Sequence, residues 1–98
     1  MSLPRRSPLP LHRPPTPPGE MLLEEYLKPA GLTQTALAAR LGVPVQVVNA
    51  IVHGRRAITA EMALKLGKAL KTAPQFWLNL QNATDLWHAA RRLARKSA

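Results

Sequence analysis

The side chains in this sequence best placed for chemistry are hydrogen-bonding groups, not nucleophiles or metal ligands. In TQTALAARLGVPVQVVNAIVH, residues 33–53, Gln34 and Thr35 face outward at the start of one short helix. Gln46 and Asn49 do the same on the next, and Arg55 and Arg56 follow just past its end. Carboxamides, hydroxyls and guanidinium groups supply donors and acceptors for recognition. Sets suited to catalysis are missing. His12, His53 and His88 show neither H-x-x-x-H nor H-E-x-x-H spacing. Glu24 and Glu25 are neighbours that project in different directions from a helix, so they make no carboxylate pair. Asp85, the only aspartate, falls mid-helix, where it pairs with a base or faces water. No phosphate-cradling glycine loop or nucleophile elbow occurs. The chain has no cysteine, which excludes a disulfide and a thiolate zinc site. It reads as a binding protein, not an enzyme, and calls for no cofactor or metal.

Two short helices joined by a tight turn must position those groups. Thr33 can cap the first, its hydroxyl accepting a bond from a first-turn N–H. Leu37, Ala38 and Leu41 share one face, and Ala38 is small where the helices would cross. Gly42 falls where a helix stops in the left-handed conformation. Pro44 is expected in the first turn of the second helix, where its missing N–H has no acceptor to lose. Val43, Val47 or Val48, and Ile51 resume the apolar stripe. This is the outline of a helix-turn-helix.

Ninety-eight residues make one small all-α domain with a modest core. A fold of this size without covalent ties gains from oligomerisation. No apolar run approaches the roughly 18–20 residues that span a bilayer, and prolines interrupt the start where a signal peptide would lie. A cytoplasmic protein with no membrane association is expected. The net charge of +9 is concentrated at the ends: Arg5, Arg6 and Arg13 with no acid in 1–17, and Arg91, Arg92, Arg95 and Lys96 in 88–98. Such an excess attracts polyanions through phosphate neutralisation, though an acidic protein or an anionic membrane answers to it as well.

Residues 1–17 read as a disordered, basic, Pro-rich tail, because proline blocks helix and supplies no donor. Residues 18–95 read as the folded domain, with five helices. The first should run from Pro18 or Gly19 to Lys28, with Leu22, Leu23, Tyr26 and Leu27 inward. After the hairpin, Thr59 caps a fourth helix that buries Met62, Ala63, Leu66, Ala69 and Leu70 and turns Lys65, Lys68 and Lys71 to water. Thr72-Ala73-Pro74-Gln75 reads as a capping box for a fifth helix reaching about Arg95. Its stripe of Phe76, Leu80, Ala83, Trp87, Ala90 and Ala94, widened by Trp77, Leu86 and Leu93, exceeds what one small domain needs to cover. One edge is expected to cover helices one and four, the other to meet a second subunit.

The segments PPGEMLLEEYLKPAGLTQTALAARLGV, HGRRAITAEMALKLGKAL and FWLNLQNATDLW make the sequence resemble the HigA/VapI antitoxins, a branch of the lambda-repressor-like (Xre-type) helix-turn-helix proteins. The likeness covers about residues 17–88. It implies a five-helix lambda-repressor-like domain that neutralises a HigB-like toxin, a RelE-like mRNA interferase. It also implies a homodimer on a palindromic double-stranded DNA operator, repressing its own operon. Thr33, Gln34 and Thr35 would then hold backbone phosphates. Pro44, Val45, Gln46, Asn49 and Ala50 would face the groove, and Arg55 and Arg56 would reach flanking phosphates. Phe76, Trp77, Leu80, Leu86 and Trp87 would help build the dimer.

Three positions depart from the resemblance. Relatives often carry serine and arginine where this chain has Pro44 and Val45, and valine has no hydrogen bond to offer a base. Gln46 and Asn49 remain as direct readers, each suited to adenine N6 and N7. Thr84 stands where relatives often have tyrosine. Two rivals follow, a stand-alone Xre-type repressor without a toxin and a protein-binding antitoxin whose DNA-binding motif is vestigial.

Overall fold

The computed structural model describes residues 13–97, and these hold five helical rods and no strand. The expectation for residues 1–12 lies outside the described residues. The first rod, α1, is three contiguous segments: Pro18–Met21, a π-helical stretch Leu22–Leu27, and Lys28–Ala30. It passes the expected stop at Lys28 and carries Pro29 within it. In the wide stretch the Lys28 N–H donates to the Leu23 carbonyl, five residues back. Proline brings no N–H, and its ring would crowd the carbonyl four residues earlier. The wider turn lets the helix pass it.

The hairpin follows as α2 (Gln34–Leu41) and α3 (Val45–Val52), between which the chain bends by 117°. That lies in the range of a helix-turn-helix. Gly42 makes the turn at φ 70°, while the Val43 and Gly42 N–H groups close back onto the Ala38 and Ala39 carbonyls. Pro44 is the residue before α3, not one of its first turn. Its backbone is extended, as a cap position requires, and its carbonyl accepts the Val47 N–H at 3.0 Å.

Helix α4 (Ala60–Leu70) starts with the Thr59 hydroxyl accepting the Met62 N–H at 3.1 Å, the expected cap. Helix α5 (Pro74–Ser97) is about 36 Å long at about 1.5 Å per residue and runs past Arg95. The box expected to cap it does not form. The helix starts at Pro74, and the Thr72 hydroxyl instead accepts the Trp77 indole N–H at 2.7 Å.

One core joins the rods. Leu22 and Leu27 of α1, Leu37, Ala38 and Leu41 of α2, Val48 and Ile51 of α3, and Met62, Ala63 and Leu66 of α4 are buried with Ile58 and Trp77. Of the expected stripe, Val48 rather than Val47 points in, and Ala69 and Leu70 are only half-buried. Gly19 lets α1 lie directly on α3, since a Cβ there would run into the Ile51 and Val52 carbonyl oxygens. That contact fixes α1 behind the helix whose outer face carries Gln46.

Candidate nucleic-acid interface

The polar groups of the hairpin gather on one surface, held there by caps and turns. The Thr33 hydroxyl accepts the Ala36 N–H at 3.0 Å and anchors the start of α2, with Gln34 and Thr35 next to it. From α3, Asn49 Nδ2–H donates to Gln34 Oε1 at 3.2 Å, and Arg55 Nη2–H donates to Asn49 Oδ1 at 3.3 Å. Gln34, Asn49 and Arg55 thus form one continuous row across both helices and the loop behind them. Gln46 stands apart, exposed, with no side-chain partner among the described residues. Val45 is exposed beside it and Ala50 is half-buried, so the start of α3 offers one free carboxamide and an apolar patch.

The loop after α3 sets the arginines. Gly54, at φ 74°, turns the chain, and the Arg55 N–H closes back onto the Ala50 carbonyl at 2.8 Å. Three residues on, the Ile58 N–H donates to Gln81 Oε1 at 2.8 Å, and Gln81 Nε2–H donates to Asp85 Oδ1 at 2.9 Å. The loop is therefore tied to α5 rather than left to solvent. Arg55 and Arg56 are both exposed on it, and Arg56 borders a groove with Pro44 and Val47. Donors of this kind beside two exposed arginines can hold phosphates, and a free carboxamide can pair with a base edge.

The helix-turn-helix family profile matches residues 23–77. Antitoxin HigA-1 of Vibrio cholerae is 45% identical over 80 residues, covering 82% of this chain and 75% of that protein. The chain belongs to the HigA family of helix-turn-helix proteins. Among solved HigA-like structures, antitoxin GraA superposes with a TM-score of 0.81 at 44% identity, covering 86% of this chain and 90% of that one. Pseudomonas aeruginosa antitoxin HigA with the higBA promoter gives 0.79 at 39% identity, covering 84% and 89%.

In this HigA-family domain the five residues expected at a dimer interface have separate surroundings. Trp77 is wholly enclosed, 0% exposed, packed on Tyr26 with ring centroids 5.2 Å apart and on Phe76 at 5.0 Å. It presents no surface to a second subunit, and its reading as an interface residue is corrected: Trp77 is core. The indole is large enough to fill the gap between α1 and α5, and Thr72 satisfies its N–H. Phe76 is half-buried against Tyr26, and Leu80 is half-buried as well. Leu86 is 55% exposed, Trp87 is half-buried with the Arg91 guanidinium 4.6 Å above its ring, and Leu93 is 65% exposed farther along. Among the described residues no single helix is long and apolar enough to cross a membrane.

Sequence reasoning missed the Gln34–Asn49–Arg55 row and the Gln81 tether. Their partners lie 15, 6 and 23 residues apart, and no local pattern links them.

Proposed function

We propose that this chain is the antitoxin of a type II toxin–antitoxin pair that represses its own operon. Two copies, joined along the outer edge of α5 through Leu86, Trp87 and Leu80, set their α3 helices into successive major grooves of a palindromic operator, about 34 Å apart. Gln46 reads a base, the row from Gln34 to Arg55 holds register, and Arg56 neutralises a flanking phosphate. The toxin partner is a HigB-like mRNA interferase.

The observation carrying this reading is Gln46, a free carboxamide on an exposed helix start flanked by the arginine loop. The fold around it matches that of an antitoxin held on its promoter at 39% identity. Co-purification with the product of the adjacent reading frame, followed by a gel shift on the upstream DNA, tests both halves. Capture of a small basic partner and a retarded band are expected. A band without a partner favours a stand-alone repressor. A partner without a band at low salt favours a protein-binding antitoxin, for which exposed Val45 in place of a hydrogen-bonding side chain is the supporting feature.

A further inference from the structure

A groove of about 490 Å³ lies between α1 and the start of α5, and none of the hairpin's polar residues lines it. Its floor is apolar and aromatic: Met21, Tyr26 and Phe76, the two rings set edge to face with centroids 6.2 Å apart. Its rim is acidic, formed by Glu20, Glu24 and Glu25. These are three of only five acids in a chain of net charge +9. Lys28 engages Glu24 at 2.9 Å, while Glu20 and Glu25 have no ion-pair partner among the described residues.

The chain enters the groove's edge from its own N-terminal side. Thr16 lines it, and the residues before Thr16 read PRRSPLPLHRPP over 4–15. That segment holds Arg5, Arg6 and Arg13, no acid, and prolines at 4, 8, 10, 14 and 15. Proline-rich segments prefer an extended helix and dock in aromatic-lined grooves, and cations beside them suit an acidic rim. At about 3.1 Å per residue, the stretch from Thr16 back to Arg6 reaches about 30 Å. Glu20 and Tyr26 are only about 9 Å apart along their helix, so the tail can double back with room to spare. Because the segment is tethered beside the groove, its effective concentration is high and a weak contact is enough to hold it.

We infer that this groove holds the chain's own basic, proline-rich segment, residues 4–12, with Arg5 and Arg6 against Glu20 and Glu25 and the prolines over Tyr26 and Phe76. Docked there, the tail's arginines are neutralised by the chain's own acids and withdrawn from any polyanion.

The absence of native cysteine makes the test direct. A nitroxide on Ser7→Cys in the full chain, read by amide NMR, should selectively broaden Glu20–Tyr26 and Phe76. The broadening should fade in high salt and in Arg5→Ala/Arg6→Ala or Glu20→Gln/Glu25→Gln variants. These surface changes leave the core untouched, and unchanged amide shifts elsewhere verify the fold. Uniform broadening, or broadening centred on α3, overturns the inference. So does groove broadening that survives the charge variants. Broadening that appears only when spin-labelled, unenriched chain is mixed with unlabelled, isotope-enriched chain assigns the contact to a second copy and overturns the docking in cis.

Discussion

Asn49 Nδ2–H donates to Gln34 Oε1 across the turn, at 3.2 Å, so the first residue of α2 and the fifth of α3 are one hydrogen-bonded unit. With Oδ1 taken by Arg55, Asn49 already uses half of its bonding capacity inside the protein. On the proposed reading Asn49 sets the angle and register of the surface, and Gln46 is the carboxamide free to read a base. In operator titrations, Gln34→Ala and Asn49→Ala should therefore be non-additive, with a coupling energy of about 0.5–3 kcal/mol in the double-mutant cycle. Strict additivity would separate the two residues.

Gln46→Ala should cost about 1–3 kcal/mol on the preferred operator and relax one base position. Binding to a panel of single-base operator variants checks it. An equal loss on specific and random DNA would show that Gln46 touches no base.

Arg56 and Arg55 should behave differently although they are neighbours. Arg56→Ala should weaken all sequences alike and lower the salt slope by about 1, the signature of a phosphate contact. Arg55→Ala should lower the slope similarly and also erode discrimination, because it releases Asn49. The measurement is affinity against salt concentration on specific and random duplexes.

Gly19→Ala should destabilise the domain by about 1–3 kcal/mol, since α1 must back away from the Ile51 and Val52 carbonyls. For a domain of this size about 1 kcal/mol corresponds to about 4–8 °C in Tm. Thermal denaturation followed by circular dichroism reads it. An unchanged Tm would mean that α1 sits on α3 less tightly than the structure has it.

Much of this molecule is legible in its residues because local rules govern it. Thr33 and Thr59 cap helices as their types suggest, and Gly42 closes the turn. Leu37, Ala38, Leu41, Ile51 and Leu66 bury as their spacing requires. What escapes is set by contacts between distant segments. Periodicity puts Trp77 at the edge of the α5 stripe, yet it is among the most enclosed side chains, because Tyr26 and Phe76 wrap it and Thr72 takes its N–H. Pro29 reads as a stop signal, but a π-turn carries the helix past it. Gln46 and Asn49 look equivalent in sequence. Only the position of Gln34, fifteen residues upstream of Asn49, separates the free carboxamide from the bonded one.

The central claim is that two copies of this domain present Gln46 to one duplex. Light scattering of the purified chain with its own upstream DNA, at micromolar concentration and low salt, tests this most directly. A complex of two subunits per operator is expected, with the stoichiometry kept and the affinity lowered by Gln46→Ala. A single subunit per duplex, or no complex at all, would contradict it.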